Sequence, residues 1–323
     1  MRFFLKHCLP WIITAIALYY AFRGIDWINF LSFLKGANRR FLLFACFCTL
    51  ISYLLRARRW EYFFPDFVIS YANAVKVLFL GFFMNNVLPA RAGELVRAHA
   101  GARMTNSKRT LVLATVFSER LSDGLTISAL FALFALGLGD DTLSKDFLYV
   151  AYAFGGAAVF VVILLFLRSQ ISSFLQVLQI RVGKEVSKYA FNRLMMFLDG
   201  LSPLLNPRKL PFIILSSLAI WLIELSVYVL IAQAYGSSLS LAQSVLFLVS
   251  VNFSSLIPAA PGGIGVIEAI TVIVLGSLGI NREHALAMVM TQHIIQYVIV
   301  GIPGAWALLN LKDKIIGFRS EEN

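Results

Sequence analysis

The chain has 323 residues, 59% of them hydrophobic and 14% charged, with a mean hydropathy of +0.79. Soluble domains are only about half apolar, so this composition excludes an ordinary soluble domain and indicates an all-α polytopic membrane protein. The formal net charge of +11 is assigned below to membrane topology, and we predict no nucleic-acid partner. Since no Gly/Ser-rich linker divides the chain, we expect a single domain over residues 1–323.

Apolar runs predict six full membrane spans, near residues 8–22, 41–55, 111–137, 147–167, 211–235 and 285–310. The first two are shorter than the roughly 20 residues that a bilayer requires, and we expect flanking aromatic residues to extend them. Residues 26–40 have the helical apolar spacing of an interfacial helix. Residues 168–210 mix apolar with basic positions and predict an amphipathic insertion on the cytoplasmic surface.

Two segments, at about 71–109 and 243–280, share an interrupted pattern. In each, an apolar run with an Asn leads to a Pro break, a Gly-containing turn and a Glu early in the next helix. Pro ends the incoming helix and Gly lets the backbone reverse. Lipid cannot satisfy the backbone groups that a break frees, so they must face a cavity inside the protein. The pattern consists of Asn86, Pro89, Gly93 and Glu94 in the first segment and Asn252, Pro258, Gly262, Gly263, Gly265 and Glu268 in the second.

Paired interruptions in the two halves of a chain point to a transporter's binding site. With both termini in the cytoplasm, the first re-entrant hairpin opens inward and the second outward, which makes an inverted repeat. This topology places most Lys and Arg residues, including Arg56, Arg59 and Arg97, on the inside, as the positive-inside rule requires. An eight-span alternative stays open, because residues 264–279 could nearly cross the bilayer alone.

Several charged residues lie within apolar sequence. They are Arg91, Glu94 and Arg97 after the first break, Glu119, Arg120 and Asp123 in the third span, and Glu224 in the fifth. Each costs a few kcal/mol at the bilayer centre and therefore faces a partner or a wet cavity. Salt bridges that hold the helices together and a substrate site are both consistent with this pattern.

Arg91 favours the substrate site, because it lies in the break itself. Free N–H groups at the start of the returning helix attract an anion, and a guanidinium offers bidentate geometry for phosphate. The glycines of the second break could form a backbone anion nest, or could serve only a tight turn. The residues predicted to bind substrate are Asn86, Arg91, Gly93, Glu94, Arg97, Glu119, Arg120, Asp123, Asn252, Pro258, Gly262, Gly263, Gly265 and Glu268. Sites on the substrate path or for protons are predicted at Glu224 and at the polar face of the last span, which consists of Gln292, His293 and Gln296. For that polar face, hydrogen bonds between helices are the alternative.

Three runs resemble the lysylphosphatidylglycerol synthase transmembrane family, which is the flippase-like domain of multiple peptide resistance factors and of stand-alone membrane proteins. They are residues 88–97 (LPARAGELVR), 118–123 (SERLSD) and 258–268 (PAAPGGIGVIE). The resemblance covers nearly the whole chain and implies translocation of a lipid with a charged headgroup between leaflets. Multiple peptide resistance factors carry a soluble aminoacyl-transfer domain after the membrane part, whereas this sequence ends soon after its last predicted span. An aminoacyl-phospholipid and a polyprenyl-phosphate-linked sugar therefore both stay open as substrates.

The predicted function is that of a flippase in a bacterial cytoplasmic membrane, with a lipid that carries an anionic or zwitterionic phospho-headgroup as its partner. Homo-oligomerisation stays open. The sequence has no phosphate-binding loop of the Gly-x-x-x-x-Gly-Lys-Ser/Thr type, so we expect passive or ion-coupled transport. We predict no cofactor, no metal and no catalytic residue. The alternatives are a membrane enzyme that acts on a lipid phosphate and an accessory subunit of a lipid- or glycan-processing complex.

Overall fold

The computed structural model describes residues 2–64, 68–137, 145–167, 169–170, 173, 202–257 and 259–316, and every regular element in these ranges is helical. The α-helices are α1 (Arg2–Phe22), α2 (Trp27–Gly36), α3 (Arg39–Tyr62), α4 (Tyr71–Val87), α5 (Gly93–Thr105), α6 (Arg109–Gly137), α7 (Lys145–Phe166), α8 (Leu210–Ala234), α9 (Leu241–Ser254), α10 (Val266–Ser277) and α11 (Arg282–Ile316). The all-α prediction is confirmed for this part of the chain.

Among the residues that the structure describes, three helices are long and apolar enough to cross a bilayer, namely α3, α8 and the part of α11 over Arg282–Leu311. The spans predicted near 8–22, 111–137 and 147–167 are helical as α1, α6 and α7. Their crossing of the membrane stays a prediction, as does the total of six spans. The insertion predicted over 168–210 lies largely outside the described residues.

Polar N-caps set the starts of several helices. The side chain of Asp26 accepts hydrogen bonds from the first N–H groups of α2, and Asn38 does so for α3. Ser240 accepts from the N–H of Gln243, whose side chain in turn accepts from the N–H of Ser240. Each cap satisfies donors that the helix itself leaves free.

Both predicted breaks are present. Helix α4 ends at Val87, and a 3₁₀ turn over Pro89–Arg91 leads into α5. Helix α9 ends at Ser254, and a 3₁₀ turn over Pro261–Gly263 leads into α10. In each case the outgoing helix packs against the incoming one, so α4–α5 and α9–α10 are helical hairpins. Their opening to opposite faces of a membrane stays a prediction.

Each hairpin has its own apolar core. The first core joins α3, α4, α5 and the end of α11, with Trp60 and Leu78 at its centre. The second core joins α8, α9, α10 and the start of α11, with Phe247 and Leu275 among its fully buried members. Helix α6 packs into the first core with Val112 and Val116 and into the second with Ile127 and Phe131. The charged residues in the middle of α6 lie between these two stretches of the helix. This arrangement places charged side chains of α6 where the two halves of the molecule meet.

Three arginines that were counted on the cytoplasmic face are buried within the protein, and their side of the membrane stays a prediction. Arg56, Arg59 and Arg97 were assigned to the cytoplasmic face, but their exposed fractions are only 4%, 0% and 2%. Helix α3 continues to Tyr62 because the charges of its last turns are paired inside the protein, so the span predicted at 41–55 was too short. These arginines therefore carry no information about orientation.

Orientation can be tested at two exposed serines, in a background without the three native cysteines. Ser238→Cys, between α8 and α9, is expected to react with a membrane-impermeant maleimide from outside the cell. Ser70→Cys, just before α4, is expected to react only after permeabilisation, because the proposed topology places it in the cytoplasm. Ser70 makes no side-chain cap bond, so the change should not disturb α4. External labelling at Ser70→Cys would overturn the orientation.

Candidate functional site

The two breaks lie against each other. The turn Pro89–Arg91 contacts the turn Pro261–Gly263, and α4 contacts the second turn as well. A cavity of about 210 Å³ lies beside this contact, and both turns contribute to its wall. The remaining described wall includes residues of α3, α4, α6, α8, α9, α10 and α11. Both breaks therefore face one cavity.

The first break brings Arg91 to the cavity. Its backbone has φ of 56°, in the left-handed region that residues other than glycine rarely adopt. Two residues later, Gly93 allows α5 to begin in close contact with α4, because a Cβ there would lie 2.2 Å from the carbonyl oxygen of Gly81. Gly93 thus serves packing, whereas the Arg91 side chain is 31% exposed and lines the cavity.

The second break is held from α11. Gly262 has φ of 70°, and a Cβ at this position would lie 1.5 Å from the Tyr297 hydroxyl oxygen. Nε2 of His293 is 3.1 Å from the carbonyl oxygen of Gly262, to which it donates, and Nδ1 is 2.6 Å from Oε1 of Glu268. Glu268 also accepts a 2.6 Å hydrogen bond from the N–H of Gly265, which caps α10. His293 and Glu268 together fix this turn.

Asp123 is the centre of a buried ionic cluster. Its Oδ1 accepts a 2.7 Å hydrogen bond from Arg59 and a 3.0 Å bond from the indole N–H of Trp221. Its Oδ2 lies 3.1 Å from Arg56 and 3.5 Å from Arg120. Arg56 also contacts Glu224 at 3.5 Å and stacks over the Trp221 ring at 4.6 Å. One carboxylate therefore joins α3, α6 and α8.

The remaining members of the cluster lead towards Arg91. Arg97 makes a bidentate pair with Glu119, at 3.1 and 2.6 Å, and stacks on Trp60. Arg120 donates to the same carboxylate at 2.7 Å and lies 3.6 Å from Glu94. Glu94 is 3.2 Å from Arg91. The chain of ion pairs thus runs from the interior of the protein to the first break.

The structure separates the predicted site residues into two groups. Those that line the cavity are Asn86, Arg91, Arg120, Glu224, Asn252, Gly262, Gly263, Gln292, His293 and Gln296. Those that support it through ion pairs, hydrogen bonds or close packing are Gly93, Glu94, Arg97, Glu119, Asp123, Gly265 and Glu268. Pro258 lies outside the described residues. A role of either group in binding substrate stays a prediction.

Sequence reasoning missed the contribution of α3. Arg56 lines the cavity together with Tyr53, and Arg59 supports it through Asp123. The two arginines are three residues apart in an apolar helix, a spacing that puts both on one face. This spacing is visible in the sequence, but the apolar stretch predicted as the second span, residues 41–55, ends before Arg56. Within the described residues, no three His, Cys, Asp or Glu side chains are placed so that they could hold a metal ion.

These observations define an all-helical integral membrane protein in which two broken hairpins meet at an arginine-lined cavity. The sequence matches the family described as the lysylphosphatidylglycerol synthase TM region over residues 9–304, and the chain belongs to this family.

The chain is 32% identical over 229 residues to the UPF0104 membrane protein MJ1078 of Methanocaldococcus jannaschii, covering 69% of this chain and 92% of that protein. It is 22% identical to the UPF0104 membrane protein PH1989 of Pyrococcus horikoshii, covering 94% and 95%. It is also 25% identical to a protein named Glycosyltransferase AglD of Haloferax volcanii, covering 93% of this chain but 53% of AglD. The chain thus spans about half of that relative. These three relatives are archaeal, and the bacterial origin expected from the sequence stays a prediction.

Proposed function

We propose that this protein translocates a lipid with a phosphate-containing headgroup between the leaflets of a cell membrane. The observation that carries the proposal is the position of Arg91, a partly exposed guanidinium in one broken helix, facing a cavity whose wall includes the other broken helix. Broken helices at membrane depth are typical of transporter binding sites. Arg56 and Arg120 add two further guanidinium groups to the same wall, which suits a phosphate.

The size of the cavity supports the transfer of a headgroup alone. A volume of about 210 Å³ is below the roughly 300–1,000 Å³ of sites for whole drug-sized ligands. The lipid chains would remain in the bilayer while the headgroup passes through the protein. The two hairpins then act as an inverted repeat that opens the cavity to each face in turn.

Leaflet exchange in proteoliposomes tests the proposal. The purified protein alone is reconstituted with a tail-labelled lipid, and the fraction of label accessible to a membrane-impermeant quencher is followed with time. Exchange without chemical change supports a flippase. A new lipid product would instead support an enzyme, as the name of one relative suggests. Neither exchange nor product would favour an accessory subunit.

The Arg91→Gly variant separates folding from function. Glycine adopts positive φ without strain, so the thermal unfolding temperature should be equal to or above that of the parent. Exchange should fall on the order of 10- to 100-fold, because a hydrogen bond to a charged group contributes about 1.5–3 kcal/mol. Arg91→Lys should retain only part of the activity, since a point charge does not replace a planar fork. Full exchange by Arg91→Gly would contradict the assignment.

A further inference from the structure

The ionic cluster beside the cavity is not electrically neutral. In the part of the chain that the structure describes, it joins five guanidinium groups to four carboxylates through the contacts given above. The members are Arg56, Arg59, Arg91, Arg97 and Arg120 with Glu94, Glu119, Asp123 and Glu224. The cluster therefore carries one positive charge in excess.

The Glu268–His293 pair adds nothing to this balance. Nε2 of His293 faces a carbonyl oxygen, which only accepts, so this nitrogen carries a hydrogen. A distance of 2.6 Å between Nδ1 and the Glu268 carboxylate requires one further proton between these atoms. Whichever atom holds that proton, the pair has no net charge. The excess of one therefore stands for the described charged groups in and behind the cavity wall.

The excess charge is located at Arg91. The carboxylate next to it, Glu94, is shared with Arg120, whereas Glu119 and Asp123 each contact two or more guanidinium groups of the interior. At 31% exposure, the Arg91 side chain is the most open of the paired cluster members. A ligand anion in the cavity would meet this side chain first.

The rest of the described wall combines apolar side chains with polar, uncharged ones. Five amide side chains line it: Asn85, Asn86, Asn252, Gln292 and Gln296. Nδ2 of Asn86, a donor, and Oε1 of Gln292, an acceptor, are buried without a hydrogen-bond partner. Buried polar atoms of this kind are normally satisfied. Hydroxyl groups, which both donate and accept, match such amides.

The carboxylate and the indole ring of the wall, which could bind a cationic headgroup, are already engaged. Glu224, the carboxylate in the wall, already accepts from Ser52 and contacts Arg56. The Trp221 ring, which could otherwise bind an ammonium group, has Arg56 over it. An ammonium group would therefore add a second positive charge to a wall that already has one in excess.

From this balance we infer the substrate class: a phosphodiester lipid of net charge −1 whose headgroup is uncharged and hydroxylated. The inference rests on the proposed function and narrows it. A phosphodiester brings the single negative charge that neutralises the cluster, whereas a phosphomonoester brings about −1.5 to −2 at neutral pH. Zwitterionic lipids bring no net charge, and an aminoacylated phosphatidylglycerol with a lysyl group brings a positive one.

The test compares leaflet exchange of tail-labelled lipids by the unaltered protein. The probes are phosphatidylglycerol and a glycosyl-phospho-polyprenol, which are both hydroxylated phosphodiesters, against phosphatidic acid, phosphatidylcholine and lysyl-phosphatidylglycerol. We expect phosphatidylglycerol, the glycosyl-phospho-polyprenol or both to exchange about tenfold faster than the other three lipids. Which of the two is faster distinguishes a glycerophospholipid from a polyprenyl source. Equal rates for all probes, or a faster zwitterionic, cationic or monoester lipid, would overturn the inference and leave the proposed function intact. Absence of exchange for every probe would overturn both.

Two variants should shift the preference in opposite directions. Arg91→Gln removes the excess charge and should reduce the advantage of phosphatidylglycerol over phosphatidylcholine by about tenfold. Glu94→Gln raises the excess to two and should shift the preference towards phosphatidic acid. Arg40→Gln is the control, because it alters the total charge by the same amount at an exposed position of α3. Thermal unfolding of each variant verifies that it is folded. A shift of the same sign in both cavity variants would contradict the inference.

Discussion

Asp123→Ala is expected to lower the free energy of unfolding by roughly 3–5 kcal/mol, the range for removing one partner of a buried ion pair. Arg59, whose exposed fraction is 0%, then has no carboxylate partner among the described residues. The Trp221 indole N–H also loses its acceptor. The change also removes the polar contacts by which Asp123 joins α6 to α3 and α8. We expect a large loss of folded protein in detergent, measured by thermal unfolding and by the monodisperse fraction in size-exclusion chromatography.

Two further variants separate charge from packing at this site. Asp123→Asn keeps the size and one acceptor, so its loss should be smaller. Arg59→Met combined with Asp123→Leu removes both charges, and such replacements are often close to neutral. The double variant should therefore be more stable than Asp123→Ala. An Asp123→Ala protein as stable as the parent would show that the ion pairs do not hold the helices together.

How far the sequence predicts this molecule depends on whether the signal is local. The two breaks follow from Pro89 and from the glycines of the second turn, because these residues act on their own backbone. The helical class follows from composition in the same way. The ion pair between Arg91 and Glu94 is local in the same sense, because the two residues are three positions apart in the chain.

Contacts between distant segments were not predictable in this way. Asp123 was named, but its contacts with Arg59 and Trp221 depend on how α3, α6 and α8 are rotated about their axes. The same holds for Glu268 and His293, which were named separately and meet only through the packing of α10 on α11. Helix rotation is set by packing among all neighbours, which a single sequence does not display.

Gly262→Ala is expected to reduce exchange on the order of tenfold or more. A Cβ in the left-handed region costs roughly 1–2 kcal/mol, and here it would also overlap the Tyr297 hydroxyl. Either the Tyr297 side chain or the second turn must then move, and a displacement of the turn would break its hydrogen bond with His293. Initial exchange rates in proteoliposomes measure the effect, since each 1.36 kcal/mol in a barrier corresponds to a factor of ten.

The chain offers matched controls for this prediction. Gly276→Ala makes the same chemical change in the same hairpin, where a Cβ would meet nothing within 4 Å, and it should leave exchange unaltered. Adding Tyr297→Ala to Gly262→Ala removes the overlap but keeps the backbone strain, so exchange should recover in part. Normal exchange by Gly262→Ala would show that the close contact of this turn with α11 is not needed.

The ionic cluster also has consequences for the synthesis of the protein. Arg56 and Arg59 precede their common partner Asp123 by 67 and 64 residues. At roughly 5–20 residues per second, the ribosome needs about 3–13 s to produce the missing carboxylate. During that interval α3 carries two guanidinium groups without the carboxylate that they share in the fold. We therefore expect α3 to reach its final position only after α6 has been made, although the α4–α5 hairpin separates the two helices in the chain.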